Sequence, residues 1–120
     1  NDGMLAPTGG RVLFVAGQTA RDASGRVPAS GFVVQFGQAL ANVLEVLGAA
    51  GAGPADVGRM TIYVTDLAAY RASKRELAGV WQSHMGKHYP ATALLEVKGL
   101  VDENAVVEIE ATAVLPAWKR

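Results

Sequence analysis

The sequence predicts an α+β fold in which two helices cover one face of a mixed β-sheet, in the order βββαβαββ. Residues 89–97 and 106–114 are rich in β-branched and aliphatic side chains, as is typical of strands. Residues 32–50 instead carry apolar side chains at helical spacing, namely Phe36, Leu40, Val43, Leu44 and Leu47. Helices of this length pack on one face of a sheet, which gives a two-layer arrangement.

Three short strands are expected before the first helix. Residues 1–10 carry no period and are interpreted as a loop, and residues 11–16 form a buried strand that ends at Gly17. Residues 20–27 have the signature of a β-hairpin, because Asp22 opens a turn and Gly25 supplies a positive φ.

The middle of the chain alternates between helix and strand. Gly51 is expected to cap the C-terminus of the first helix. Residues 59–65 form a strand, after which Asp66 caps a second helical region that runs to about Met85 and stops at Gly86. The buried stripe of this region consists of Leu77, Val80, Trp81 and Met85.

Composition and charge exclude several classes of function. The 120 residues, half of them hydrophobic, fit a single domain over residues 1–120. The 11 basic residues balance 11 acidic residues without a basic run, so no nucleic-acid partner is expected. No apolar run approaches about 18 residues and no leader is recognisable, so we expect no membrane partner and a cytoplasmic protein. The absence of Cys excludes disulfides and thiolate catalysis.

The predicted strands are apolar on both faces, although helices cover only one. In the first strand, Val12, Phe14 and Ala16 alternate with Leu13 and Val15. An uncovered apolar face of this size usually packs against a partner subunit. We therefore expect a homo-oligomer with a pocket between subunits.

A few polar side chains are candidates for chemistry. Glu108 and Glu110 share a face of the apolar last strand, and a carboxylate there must be paired, reach water or take part in a reaction. Glu108 is the candidate catalytic group, with a structural ion pair as the alternative, and Glu110 is interpreted as exposed or ion-paired. His84 and His88 have a spacing that can bind metal on a helix, but no third ligand is evident. They are interpreted as surface residues, and Trp81 as packing.

Several short motifs, in this order and at matching spacing, resemble the RidA/YjgF family. They are Ala16-Gly17-Gln18, residues 38–43, residues 61–66, Pro90-Ala91 and Glu108-Ile109-Glu110-Ala111, and the resemblance covers roughly residues 11–115. It implies a chorismate-mutase-like fold and homotrimers with clefts at the subunit interfaces. It also implies hydrolysis of reactive enamines and imines, such as 2-aminoacrylate, to 2-keto acids and ammonia, without a metal or an organic cofactor.

The resemblance further implies roles for particular residues. Glu108 matches the residue that orients the attacking water, as a carboxylate can, and Gly17 matches a glycine whose backbone lies at the ligand. A substrate carboxylate is best held by a bidentate Arg, which in the family follows the Pro-Ala pair. Thr92 stands at that place and offers one hydrogen bond and no charge.

A cation elsewhere can compensate for the missing Arg. Counting back seventeen positions from Thr92 reaches Arg75, where relatives commonly carry an Asn that faces the cleft. We hypothesise that Arg75 binds an anionic group or pairs with Glu108. The alternative is a solvated helix residue beside Arg71, Lys74 and Glu76.

The predicted function is therefore a small-molecule hydrolase of the imine/enamine deaminase type, with specificity altered by Thr92. One alternative is a catalytically inert trimer that binds small molecules. Another is a specialised pathway enzyme, such as an aminomuconate-type deaminase. Loss of the family Arg favours the inert trimer, whereas retention of Gly17 and Glu108 favours the enzyme.

Overall fold

The computed structural model of the protein describes residues 1–119. It contains four strands and three helices. In chain order these are β1 (Arg11–Gln18), α1 (Phe32–Ala49), β2 (Val57–Val64), α2 (Leu67–Ala72), α3 (Lys74–Met85), β3 (Ala91–Glu96) and β4 (Val107–Leu115). A single 3-10 turn, Pro54–Asp56, leads into β2.

The strands form one mixed sheet in the order β1-β4-β2-β3. β4 pairs antiparallel with both β1 and β2, whereas β2 and β3 are parallel and are connected through α2 and α3. α1 packs on β1, β4 and α3, so the helices lie on one face of the sheet. The predicted α+β class with a mixed two-layer arrangement is confirmed.

The core lies between the helices and the covered face of the sheet. In β4 every second residue from Val107 to Leu115 is buried, and the residues between them are only partly covered. The α1 stripe meets this face, with Leu40, Val43 and Leu47 each at 0% exposure. Burial of such side chains is the main favourable contribution to folding.

The predicted element order is wrong in its first third, because residues 20–27 form a turn rather than two strands. Gly25 has the expected positive φ of 81°. The carboxylate of Asp22, however, accepts hydrogen bonds from the backbone N–H groups of Ser24 and Arg26 at 2.9 and 3.3 Å. Such local side-chain bonds compete with a strand ladder. The observed order is β-α-β-α-α-β-β.

The second helical region is also divided, at Ser73, into α2 and α3. Asp66 caps α2 by accepting hydrogen bonds from Ala68 and Ala69, as predicted. α3 stops at Gly86, which has a φ of 63°. Both predicted ends of this region are therefore confirmed.

α1 is long and apolar enough to cross a membrane by length and composition alone, since its 18 residues have a mean hydropathy of 1.4. The expectation that no segment reaches this limit is therefore too strict. One such helix is weak support for a membrane span, because core helices of soluble proteins pass the same test. The packing of α1 on the sheet indicates a core helix.

Candidate functional site

Glu108 and Gly17, two of the predicted site residues, are in direct contact. Glu108 lies on β4 between the buried residues Val107 and Ile109, so its side chain points to the sheet face away from the helices. There it covers the backbone of Gly17. A methyl group placed on Gly17 would lie 2.8 Å from Cδ of Glu108, so only glycine leaves room for the carboxylate in this position.

A β-bulge makes this contact possible. Val15 pairs with Ala111 and Gln18 pairs with Ile109, which leaves Ala16 and Gly17 opposite a single residue of β4. A bulge of this kind interrupts the ladder and leaves backbone groups unpaired. Such groups can hold the polar atoms of a ligand beside the Glu108 carboxylate.

Glu110, two residues along the same face, has a partner of its own. The Tyr63 hydroxyl donates a hydrogen bond to Glu110 at 2.5 Å. This bond, together with partial burial and the nearby carboxylates, raises the pKa of Tyr63 above its ordinary value of 10.0. Within residues 1–119, Glu108 has no hydrogen bond or ion pair from a side chain. Glu108 is thus the carboxylate of this pair that is available for chemistry.

The sheet face that carries Glu108, which we call the open face, is not covered by any described element. It includes Val12, Phe14 and Leu95, which are 54%, 79% and 42% exposed. Its charged and polar residues lie on β2 and β4 and are Arg59, Thr61, Tyr63, Glu108, Glu110 and Thr112. The prediction of an apolar face opposite the helices is confirmed for β1 and β3, whereas the same face of β2 and β4 is mostly polar.

Thr92 lies on the other face of the sheet. It pairs with Met60, which is only 1% exposed and points toward the helices. Thr92 lines a groove of about 600 Å³ between α3 and β3. The residues that give this α3–β3 groove its character are Tyr70, Lys74, Leu77, Trp81, Tyr89 and Leu94.

The Thr92 hydroxyl is already engaged. It donates its hydrogen to the carbonyl of Pro90 at 2.8 Å. A hydroxyl has only one hydrogen to donate, so in this state Thr92 can only accept a hydrogen bond from a ligand. It cannot take over the role of a cation toward a substrate carboxylate.

Arg75 does not line the α3–β3 groove, whereas its neighbour Lys74 does. Arg75 lies about 100° further around α3 and is exposed. The sequence carried a signal for Lys74, because Lys74, Leu77, Ala78 and Trp81 follow the i, i+3, i+4, i+7 spacing of one helix face. The count of seventeen positions back from Thr92 crosses the turn after Met85 and therefore reaches Arg75, which lies beside this stripe rather than in it.

Glu108 and the α3–β3 groove do not meet within one chain. β2 separates β4 from β3, which places the two strands roughly 9–10 Å apart. Glu108 and Thr92 also point to opposite faces of the sheet. A ligand that contacts both must therefore contact two copies of the protein.

The two histidines have backbone partners. His84 Nδ1 is 2.8 Å from the Val80 carbonyl, and His88 Nε2 is 2.7 Å from the Val57 carbonyl. Both are partly buried rather than fully on the surface. In residues 1–119 no group of three His, Cys, Asp or Glu side chains is arranged to hold a metal ion.

These features define a small α+β protein with a carboxylate beside a strand bulge and a separate groove at the sheet edge. The profile of the endoribonuclease L-PSP family matches residues 6–115. The chain belongs to this family, which is the RidA/YjgF family that its motifs resemble.

Individual relatives agree in sequence and in fold. The goat 2-iminobutanoate/2-iminopropanoate deaminase is 33% identical over 105 residues, which are 87% of this chain and 73% of that protein. The crystal structure of the Rid-family protein YyfB of Yersinia pestis is 37% identical with a TM-score of 0.75, and the match covers 93% of this chain and 82% of that one. Escherichia coli TdcF, crystallised with bound serine, is 28% identical with a TM-score of 0.75 and coverage of 94% and 85%.

Proposed function

We propose that the protein is a hydrolase of the imine/enamine deaminase type, which adds water to a C=N carbon and releases ammonia and a carbonyl product. The observation that carries this proposal is the Glu108 carboxylate, which lies over Gly17 without a side-chain partner. The kinship with 2-iminobutanoate/2-iminopropanoate deaminases supports the same reaction. The family's ribonuclease name suggests another activity, but a formal charge of zero offers no basis for binding RNA.

Glu108 acts on water in this mechanism. As the water oxygen bonds to the imine carbon, Glu108 takes one of the water protons and the C=N electron pair moves to nitrogen. Glu108 passes this proton to the nitrogen, which gives a neutral carbinolamine. Glu108 then transfers the hydroxyl proton of the carbinolamine to the nitrogen, so that the C=O bond forms as the C–N bond breaks and ammonia leaves. The bulged backbone at Gly17 positions the water and the substrate nitrogen.

The working form is a homotrimer whose clefts combine Glu108 and Gly17 of one copy with the α3–β3 groove of the next. Two features support this assembly. The apolar side chains of the open face are exposed in a single chain, and exposed faces of this size usually mark an interface. Glu108 and Thr92 also lie on opposite sheet faces, so one chain alone does not make a complete site. We further propose that residues 1–120 form one domain and that the protein is cytoplasmic.

Thr92 gives the enzyme a specificity that differs from that of relatives with Arg at this place. Its hydroxyl hydrogen is bound to Pro90, so it provides neither a charge nor a donor for a substrate carboxylate. This same feature favours the second candidate function, an inert trimer that binds small molecules. Within one chain, Arg75 is not among the residues that line the groove.

Ammonia release from enzymatically generated 2-imino acids and 2-aminoacrylate tests the proposal. We expect the wild type to accelerate release for at least one 2-imino acid and Glu108→Ala to abolish the acceleration. Glu110→Gln is the matched control, since it keeps an acceptor for Tyr63 and leaves Glu108 in place. Thr92→Arg should improve turnover of 2-aminoacrylate. The absence of acceleration in the wild type and in Thr92→Arg would contradict the enzyme and favour the inert trimer.

A further inference from the structure

We propose that the α3–β3 groove binds 2-imino acids with a large aromatic or apolar side chain, and that Lys74 holds their carboxylate. This inference rests on the proposed hydrolase function for the reaction itself. The ligand class follows from the groove alone. The groove is lined by one cation and by several apolar and aromatic side chains, which is the pattern expected of a site that binds an amphipathic acid.

Lys74 is the cation of the groove. No other Lys or Arg in the described part of the chain lines it. Lys74 forms no ion pair within residues 1–119. The Lys74 side chain is exposed, and its Nζ lies 6.0 Å from the centre of the ring of Tyr70, another residue that lines the groove.

A lysine holds a carboxylate differently from the arginine of relatives. The ammonium is a point charge, whereas a guanidinium grips both carboxylate oxygens in a fixed geometry. Because Thr92 has no free hydrogen to donate, Lys74 is the charged donor that remains on this side of the cleft. The carboxylate would therefore lie nearer α3 than it would at an Arg on β3.

The walls of the groove are built for a large apolar group. Trp81 and Tyr89 stack with ring centres 6.2 Å apart and planes inclined by 8°. The Trp81 indole is fixed by donating a hydrogen bond to the His88 carbonyl at 3.0 Å. Leu77 and Leu94 add aliphatic surface. Such a rigid aromatic wall packs well against an aromatic ring.

The volume of the groove points the same way. Pockets of about 300–1,000 Å³ hold ligands much larger than a three-carbon acid, and this groove has about 600 Å³. A three-carbon substrate would leave most of the apolar wall against water. Added apolar contact in such a pocket typically improves specificity by about tenfold or more for each methylene group.

Hydrolysis of a graded series of imines tests this inference. An L-amino-acid oxidase acting on alanine, leucine and phenylalanine would generate the three 2-imino acids, and semicarbazide trapping would report their lifetime. We expect kcat/KM to rise by about tenfold or more from the alanine to the phenylalanine product. A preference for the alanine product would overturn the inference and leave the hydrolase function intact.

Lys74→Met supplies the second arm, with Arg75→Met as the matched control on the same helix. Loss of a charged hydrogen bond should raise KM by about tenfold or more, with little change in kcat. Lys74→Arg should restore much of the affinity, and Arg75→Met should resemble the wild type. Equal KM values for Lys74→Met and the wild type would overturn the role of Lys74.

Binding without turnover separates this inference from the proposed reaction. Calorimetric titration of the Glu108→Ala protein with phenylpyruvate, phenylpyruvamide and pyruvate needs no catalysis. We expect phenylpyruvate to bind most tightly of the three. Its affinity should fall when Lys74→Met is combined with Glu108→Ala. This pattern in a protein without hydrolase activity would retain the ligand class and refute the reaction. Equal binding of all three probes would overturn the ligand class.

Discussion

Replacing Gly17 by Ala tests whether the position of Glu108 controls the reaction. The added methyl group would lie 2.8 Å from Cδ of Glu108, whereas carbon atoms in contact need about 3.5–4.0 Å. The carboxylate must therefore move by roughly 1 Å. A displacement of that size costs about 10²-fold in rate, or about 2.7 kcal/mol in activation free energy.

Stability should change little in this variant. Gly17 does not have a positive φ, so alanine is compatible with its backbone. The atoms that must move belong to the end of a flexible side chain rather than to the backbone. We expect the free energy of unfolding to stay within about 1 kcal/mol of the wild-type value.

The assay is hydrolysis of the best 2-imino acid, followed by ammonia release. Gly58→Ala is the matched control, because a methyl group there meets only the Thr112 carbonyl oxygen, at an ordinary 3.9 Å. Wild-type activity in Gly17→Ala would refute the reasoning, as would an equal loss of activity in Gly58→Ala.

Three further predictions concern stability. The pKa of Asp56 is raised by burial, but hydrogen bonds from Lys119 and the Gly53 N–H outweigh this and hold it below 3.8. The stabilisation that the ionised Asp56 contributes is therefore fully present above the pKa of Asp56 in the unfolded chain. It is lost as the pH falls through the lower pKa of Asp56 in the folded protein. Lys119→Met should cost about 1–3 kcal/mol at pH 7 and flatten the acid dependence of urea unfolding; an unchanged pH profile would contradict this. Leu47 is 0% exposed, so replacing it by Ala should lower the free energy of unfolding by about 2–5 kcal/mol. A decrease below about 1 kcal/mol in the same urea unfolding assay would contradict the observed packing. Asp66→Ala removes the α2 cap and should lower the free energy of unfolding by about 0.5–2 kcal/mol. Asp66→Asn should retain most of the wild-type stability, because Asn also caps helices well.

The periodic parts of the fold could be predicted from the sequence because burial leaves a direct pattern there. The stripe from Phe36 to Leu47 and the alternation through β4 are both found as expected. The same alternation correctly assigned Glu108 to the face opposite the buried residues. Gly17 was placed with Glu108 by the family motifs rather than by any local pattern.

Features set by single polar contacts could not be predicted in this way. The Asp22 carboxylate binds nearby N–H groups and replaces the expected hairpin by a turn. Gln35, at 1% exposure, fixes the loop before β4 through the Asn104 carbonyl and the Val106 N–H. Such contacts depend on atoms distant in sequence, and no periodic pattern reports them. Lys74 was missed for a different reason, since its own helix stripe was not used.

Activity restored by mixing two inactive variants tests the central claim, that each cleft takes Glu108 from one copy and the groove from another. Glu108→Ala keeps the groove, and Ala78→Trp fills it while keeping Glu108, since Ala78 lines the groove. An equal mixture of the two variants whose subunits reassort at random should regain about a quarter of wild-type activity, because that share of all clefts combines two intact halves. Mixed trimers that are verified by mass spectrometry and remain inactive would contradict the shared site.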